Sequence, residues 1–348
     1  MVPLPAPLRL KIDGQALVAN WRWLDRMSGA AECGAAVKAN GYGLGAPEVA
    51  RRLAEAGCRD FFVATWAEAE AVLPVIGEAS LSVLHGVSRE DMSRARTSRA
   101  RPVLCTPAQV ARWRESGEGR PCDVMVDTGM NRLGLSAEDV LGYALDGLAV
   151  QTLHSHLASA DEDSPLNRRQ RDAFAALAGR VPARRLSLAN SAGICLGPPY
   201  HFDLTRPGLA LYGGIPRPEA EGHIAPVLSV EAQVVQRRRV GPGDTVGYNA
   251  TFTADRAVEL AVLNIGYADG YLRGFSGTGR AKLGGGFAPV IGRVSMDLTA
   301  ICVDAAPDTG EGDWIELDYH LPRAAAQSGL SQYELLTALG SRHQRLWS

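Results

Sequence analysis

The stretch AAVKANGYGLGA, residues 35–46, sets a lysine between an apolar run and a glycine-rich turn. Lysine is scarce in this chain: lysine and arginine total 36, and only Lys11, Lys38 and Lys282 are lysine. An arginine stays protonated, whereas a desolvated lysine can lose its proton and attack a carbonyl. Lys38 is therefore the first candidate for covalent chemistry, and Lys11 and Lys282 read as surface charges. Other reactive or anion-binding types recur at the ends of short apolar runs. Asn40 and Tyr42 follow Lys38; Asp127, Thr128, Asn131 and Arg132 follow CDVMV; His154 and His156 stand in VQTLHSHL; Asn190 and Ser191 close RRLSLANS; Arg206, Gly208 and Tyr212 follow FDLT.

Something must bring these groups together. From residue 30 to about 215, eight apolar runs alternate with amphipathic stretches: GAAVKA, DFFVAT, LSVLHG, RPVLCT, CDVMVD, VQTLHSHL, RRLSLAN and FDLTRPG. The stretches between them carry helix punctuation. Pro47 precedes Val49 and Leu53 with a stop at Gly57, Ser136 and Asp139 form a capping box, and Ser164-Pro165 opens a segment with Phe174 and Leu177. Eight such units predict an α/β fold, a (β/α)8 TIM-like barrel, whose functional groups gather at the carboxyl ends of the strands. After about residue 225 the pattern turns to period-two alternation with turn signals, as in SVEAQVVQRRRVGPGDTVGYNATF, which predicts a mostly β C-terminal domain. The expected division is a barrel over 1–225, whose first residues are free to pair with the second domain, and a β domain over 226–348. Gly241-Pro242-Gly243 and Gly284-Gly285-Gly286 mark hairpins or loops.

A length of 348 residues exceeds one typical domain, and a net charge of −2 offers no electrostatic case for nucleic acid or a membrane surface. The expected partner is a small molecule or a second copy of the chain. No apolar run approaches the roughly 20 residues of a membrane span, and MVPLPAPLRLKIDG lacks the apolar core of a secretory signal, so the expected compartment is the cytoplasm. Cys33, Cys58, Cys105, Cys122, Cys195 and Cys302 show no metal-ligand spacing; they read as buried reduced thiols, and no metal site is expected.

At a barrel mouth, a lysine, histidines, arginines and small residues that expose backbone N–H groups suit an anionic ligand that also carries a carbonyl. Pyridoxal phosphate answers that description. Each residue also has a plainer reading. His154 and His156 share one face of a strand, turned to the barrel interior or to the helices, and a structural histidine fits either position. The spaced glycines could serve a tight turn alone, Ser191 could cap the following helix, and Arg206 could pair with Asp203.

The stretches that hold these residues resemble the alanine racemases, enzymes built from a barrel and a C-terminal β domain. AVKANGYGLG resembles the family's lysine motif, VDTGMNRLG its substrate-arginine motif, HSHLASAD its histidine motif and RPGLALYG its pyridine-contacting motif. VGYNATF resembles the catalytic-tyrosine motif, and IGYADGYLR and GRVSMD follow in the family's order. The resemblance spans nearly the whole chain. It implies a pyridoxal-phosphate-dependent isomerase that interconverts L- and D-alanine, a homodimer with an active site shared between subunits, and a supply of D-alanine for peptidoglycan precursors.

By that resemblance Lys38 holds the cofactor and acts as one of two bases, while Tyr248 is the other and reaches in from the partner subunit. A racemase needs two because a proton leaves one face of Cα and returns to the other. A free tyrosine titrates at about 10 and needs help to act as a base; His156 is implied to contact it. Arg206 is implied to contact both that histidine and the pyridine nitrogen. Because arginine keeps its proton, the nitrogen stays unprotonated and the ring is a weaker electron sink, which favours return of the proton to Cα. Tyr42, Ser191, the Gly208 and Leu209 amides and Tyr333 of SQYELL are implied to meet the phosphate, with Asn190 in the same cofactor-binding set. Arg132 and the Met296 amide are implied to bind the substrate carboxylate, with Asp297 nearby, and Tyr267, Arg273 and Arg293 to line the substrate entrance. Outside the resemblance, Tyr267 or Tyr271 is equally a strand aromatic and Arg293 a solvated charge.

One position departs from the pattern. Seven residues before the substrate arginine many members have a lysine carbamylated by carbon dioxide, whose charge positions that arginine; here the position is Met125. A thioether can neither carry a carbamate nor form an ion pair. Arg132 is therefore expected to use another acceptor, a bound anion such as chloride, or a looser hold, and activity not to depend on carbon dioxide. Three rival functions share parts of the pattern: a racemase of wider range that includes serine, an amino-acid decarboxylase of the same architecture, and a non-enzymatic pyridoxal-phosphate-binding protein resembling the barrel alone. RPGLALYG speaks against the decarboxylase, which usually sets an acidic residue at the pyridine nitrogen. Tyr248 and GRVSMD, beyond the barrel, speak against the binding protein.

Overall fold

A computed structural model describes residues 6–142 and 145–348. By internal contacts the chain forms two units, Leu17–Ala225 and a second made of Pro226–Ser348 together with the chain preceding Leu17.

The N-terminal strand β1 (Leu8–Ile12) belongs to the second unit; the strands of the first are β2 (Glu32–Cys33), β3 (Ala35–Ala36), β4 (Asp60–Val63), β5 (Ser80–Val83), β6 (Arg101–Leu104), β7 (Pro121–Met125), β8 (Ala149–His154), β9 (Arg185–Ser187) and β10 (Leu204–Thr205). β3 to β9 form one parallel sheet in chain order. β2 and β3 are halves of a single stave divided at Gly34, where a β-carbon would lie 2.7 Å from the Asp60 carbonyl. β10 runs parallel to β2. The Gly34 and Ala36 amides donate to Thr205 and Pro207, and the Asp203 and Arg206 amides donate to Leu186 and Ala189 beside β9. Those bonds close the ring, so the chain has the (β/α)8 architecture that the alternation predicts. Helices follow the strands with the expected punctuation: Ala46–Ala56 stops at Gly57 with φ of 117°, and Ala137–Leu141 starts at the Ser136–Asp139 capping box.

The barrel interior is polar and its charges are paired, as burial requires. Asp60 accepts from Ser80 at 2.6 Å and from Arg185 at 2.7 Å; nearer the carboxyl ends, Asp123 accepts from Ser82 at 2.6 Å and from Arg101 at 3.2 Å. The apolar strand residues Phe61, Leu81, Val103 and Val124 are fully buried.

In the second unit the long strand β11 (Leu228–Val240) pairs at its start with β1 and at its far end with β14 (Val258–Leu263), past an irregularity between Val234 and Gln236. Between them, β12 (Thr245–Val246) and β13 (Phe252–Thr253) form a small ribbon. β15 (Arg280–Leu283), β16 (Gly286–Ile291), β17 (Thr299–Cys302) and β18 (Trp314–Leu317) complete a sheet that closes back onto β11, and β19 (Gln344–Trp347) extends it beside β1. Gly284 and Gly285, with φ of 58° and 79°, make the two-residue turn between β15 and β16, a conformation in which side chains are strained. Two helices, Leu321–Ser328 and Gln332–Thr337, interrupt this otherwise β unit. Of the six thiols, Cys195 and Cys302 are half-buried and the other four buried. No helix among the described residues is long and apolar enough to cross a membrane.

Candidate active site

Lys38 opens a turn in which Ala39, Asn40, Gly41 and Tyr42 all take left-handed φ, of 52°, 53°, 63° and 52°. Each non-glycine residue costs roughly 1–2 kcal/mol there, so neighbouring bonds must hold the turn. Gly41 donates to the Val37 carbonyl and Gly43 to Ala39, both at 2.9 Å. The Ala46 amide donates to Asn40 Oδ1 at 3.1 Å and the Ala39 amide to Glu68 Oε1 at 2.6 Å. Lys38 is half-buried. Burial and then the Arg132 charge depress its ammonium below the usual lysine range, with Arg206 adding to them and Glu68 opposing. Lys11 and Lys282 have plainer roles, in ion pairs with Glu231 at 2.5 Å and Glu316 at 2.6 Å.

Tyr42 stacks on Tyr212 with 4.6 Å between ring centres, and the Tyr212 hydroxyl donates to the Ala36 carbonyl at 2.8 Å. The Tyr42 hydroxyl lies over Gly208, where any β-carbon would collide with it. Ser191 Oγ accepts from the Gly208 amide at 2.9 Å and the Ala210 amide at 3.2 Å. The cap of the following helix is Asn190, whose Oδ1 accepts from the Gly193 amide at 2.8 Å. That leaves the Ser191 hydroxyl facing the Gly208 turn, where Leu209 opens the short segment Leu209–Tyr212.

Arg206 is buried and donates from Nη2 to the Ser155 carbonyl at 2.7 Å and from Nη1 to Ser187 Oγ. Asp203 instead accepts from the Leu186 amide at 2.8 Å, so the ion pair weighed for Arg206 does not form. Arg206 Nε has no acceptor among the described residues. His156 lies just past β8, half-buried. Burial first, then the charges of Arg206, Arg132 and Lys38, push its imidazole down to about 3. His154 is the structural histidine, fully buried in the barrel interior, edge-on to Phe62 at 5.7 Å and 3.9 Å from Asp123.

The loop that carries Arg132 is folded by Asp127, which accepts from the amides of Gly129 at 2.8 Å, Met130 at 2.9 Å and Arg132 at 3.1 Å. The Arg132 guanidinium has no acceptor among the described residues. Met125 is buried against Val103 and Cys105, with Leu84 packed beside them. This lining is apolar, and the Cys105 thiol is engaged by the Val103 carbonyl at 3.1 Å.

Within the second unit, Gly266 leaves no room for a β-carbon beneath the Ser295 and Met296 carbonyls. Those carbonyls accept from the Tyr267 and Ala268 amides, each at 3.0 Å, which ties IGYADGYLR to GRVSMD. Arg273 lies 5.1 Å over the Tyr267 ring. Tyr271 is the core aromatic, fully buried and stacked on Phe275 at 4.3 Å. Asp297 is held by Arg342 at 2.8 Å, and Arg342 in turn by the buried Asp269 at 2.6 Å. The Met296 amide has no acceptor among the described residues. A β-carbon on Gly247 would sit 3.3 Å from the Arg293 amide, so the turn that carries Tyr248 packs on GRVSMD. Tyr248 is 65% exposed and Tyr333, on the helix Gln332–Thr337, 44%.

Both parts match family models: residues 12–216 match the N-terminal domain of alanine racemase and residues 227–347 its C-terminal domain. The chain belongs to the alanine racemase family. An alanine racemase of Acidiphilium cryptum is 43% identical over 350 residues, which cover 97% of this chain and 98% of that one. The crystal structure of the alanine racemase of Bartonella henselae, with covalently bound pyridoxal phosphate, is similar with a TM-score of 0.92 at 34% identity, covering 99% of this chain and 100% of that one. The biosynthetic alanine racemase of Pseudomonas aeruginosa gives 0.90 at 32% identity, with coverage of 99% and 100%.

For an alanine racemase the barrel mouth offers a coherent donor set. A lysine of lowered basicity, the Ser191 hydroxyl beside a Leu209 amide that has no acceptor among the described residues, and an arginine with its Nε edge open fit an aldehyde, a phosphate and a pyridine nitrogen respectively. No cluster of three or more histidine, cysteine, aspartate or glutamate side chains stands ready for a metal among the described residues. Three supporting residues escaped the sequence reading. Gln170 donates to the His156 carbonyl at 3.0 Å and accepts from the Ala158 amide at 2.9 Å; Arg342 holds Asp297; Glu68 holds Ala39. Thr65-Trp-Ala-Glu68 is visible as a capping box, but nothing in the spacing ties Glu68 to a residue 29 positions earlier.

Proposed function

We infer that this chain interconverts L- and D-alanine with pyridoxal phosphate held on Lys38, as a cytoplasmic homodimer that makes D-alanine for peptidoglycan precursors. The observation that carries this reading is Arg206, anchored by neutral acceptors with no carboxylate bonded to it among the described residues. A decarboxylase's strong electron sink calls for an acid at that place. When bound, pyridoxal phosphate draws electron density from the amino acid's Cα and so acidifies its proton.

The chain's own residues do the rest. Lys38 exchanges the proton on one face of Cα and Tyr248, from the partner subunit, on the other. Arg132 and the Met296 amide bind the carboxylate and so orient the Cα–H bond, with Asp297 beside them. Tyr42, Ser191, the Gly208 and Leu209 amides and Tyr333 hold the phosphate, and Asn190 holds the helix that begins at Ser191. His156, kept neutral, can accept a hydrogen bond from the Tyr248 phenol. Tyr267, Arg273 and Arg293 line the approach of the substrate. The exposure of Tyr248, Met296, Leu298 and Tyr333, at 65%, 53%, 41% and 44%, supports a partner that covers these side chains.

The test is Cα exchange in heavy water. Each alanine enantiomer should gain deuterium and lose optical purity, with serine in the same panel to gauge breadth. No exchange with either enantiomer refutes the racemase, and release of carbon dioxide would identify the decarboxylase. Borohydride reduction and peptide mapping should place the label on Lys38, and sedimentation should give a dimer.

A further inference from the structure

The turn after Lys38 holds four consecutive left-handed residues, and one carboxylate from another element hydrogen-bonds its backbone. Glu68 stands in the first turn of the helix Trp66–Val72, whose cap is Thr65. Its Oε2 accepts from the Ala64 amide at 2.7 Å and the Thr65 amide at 3.3 Å, just beyond β4. Its Oε1 crosses to the neighbouring stave and accepts from the Ala39 amide at 2.6 Å. That amide belongs to the peptide directly following Lys38. The carboxylate therefore fastens the first left-handed residue of the turn to the end of the adjacent strand, with both oxygens occupied. A helix cap alone needs the bonds to Thr65; the bond to Ala39 is additional.

We propose that Glu68 is a positioning residue for Lys38: it locks the Ala39–Tyr42 turn so that the Lys38 amine and the Tyr42 ring are presented together at the barrel mouth. This rests on the reading of Lys38 as the cofactor lysine. Without the carboxylate, the turn loses a charge-assisted bond that offsets part of the cost of three non-glycine residues at positive φ. The same carboxylate opposes the cations Arg132 and Arg206 at Lys38, which favours the protonated amine. Reach and charge can be separated by substitution. Glu68→Asp keeps the charge but is one methylene too short to bridge Ala64 and Ala39. Glu68→Gln keeps the length but removes the charge and turns one acceptor into a donor facing backbone N–H groups.

The experiment compares both variants with Thr65→Ala, which removes the cap and leaves Glu68 and its bond to Ala39. For each holoenzyme, cofactor dissociation is measured by equilibrium dialysis, the acid limb of the Cα-exchange rate is followed against pH, and thermal unfolding is recorded. Both Glu68 variants should bind cofactor about tenfold more weakly or worse, the loss of one charge-assisted hydrogen bond. Only Glu68→Gln should move the acid limb to lower pH, because the amine loses its proton more readily. Thr65→Ala should lower the melting temperature alone. The proposal fails if the Glu68 variants merely melt earlier, as Thr65→Ala does, with cofactor affinity and pH profile unchanged. A borohydride label away from Lys38 in the unsubstituted enzyme would instead refute the reading beneath it.

Discussion

Arg206 hydrogen-bonds the Ser155 carbonyl at 2.7 Å from inside the barrel, while the nearby Asp203 is turned to a backbone amide. Burial lowers the guanidinium to about 10, with Asp123 opposing, so it remains charged at neutral pH. Replacement by glutamate would set an acid beside the Ser155 carbonyl, where burial favours the protonated form, and would offer the pyridine nitrogen a proton. Arg206→Glu is expected to racemise about 10- to 100-fold more slowly, as the loss of charge-assisted bonds implies, and to form more pyruvate per turnover. A variant whose ratio of pyruvate to D-alanine is unchanged would refute the electron-sink argument.

Met125 packs on Val103 and Cys105 and carries no charge. Enzyme assayed in buffer stripped of carbon dioxide and bicarbonate should therefore run at its full rate. The apolar lining also predicts no loss on replacing chloride by acetate. Met125→Leu, a swap of similar volume, should keep activity within a few-fold. A halide requirement that Met125→Leu abolishes would overturn this account.

The parts of the site written in local sequence were the legible ones. Lys38 after an apolar run, the Ser136–Asp139 cap and the glycine pair between β15 and β16 each obey short-range rules. Four consecutive left-handed residues do not, because Ala39 and Tyr42 disfavour that region, which only Asn40 and Gly41 tolerate readily, and the turn is held by bonds from elsewhere in the chain. Ser191 reads as a cap in the sequence, and only the structure shows that Asn190 makes the cap while Ser191 Oγ accepts from the distant Gly208 amide. The two histidines of HSH likewise differ by what lies across the barrel: Asp123 and Phe62 for His154, three cations for His156.

Gly208 is required by its neighbour. A β-carbon there would meet the Tyr42 hydroxyl, whose ring is backed by Tyr212 and cannot simply retreat. Gly208→Ala should weaken cofactor affinity about tenfold or more while the alanine KM of the reloaded enzyme changes little. Dialysis against free cofactor measures the first and steady-state kinetics the second; equal affinity in the variant would remove Tyr42 and Gly208 from the phosphate site.

His154 links the barrel core to acid stability. Its imidazole is pushed down by burial from the ordinary 6.5 to about 4, with Asp123 opposing. A depressed histidine stabilises the fold fully above the unfolded value, and that contribution is lost as pH falls from 6.5 toward 4. The loss amounts to roughly 3 kcal/mol. His154→Gln should flatten the fall in urea midpoint across that window, leaving the share due to His156. Parallel pH profiles for the variant and the parent would show that His154 does not titrate with unfolding.

Tyr248 separates chemistry from folding most cleanly, because it is 65% exposed and its hydroxyl has no hydrogen-bond partner among the described residues. Tyr248→Phe should melt at the parent's temperature and load cofactor on Lys38 normally. On the proposed two-base reading, racemisation should fall by at least about 100-fold, the usual worth of a positioned acid or base. Exchange at Cα from the face served by Lys38 should persist, so one enantiomer should still take up deuterium without inverting while the other exchanges poorly. If both enantiomers lose exchange equally, Tyr248 is a binding group rather than a base. If racemisation is retained, the second base must be sought elsewhere in the C-terminal unit.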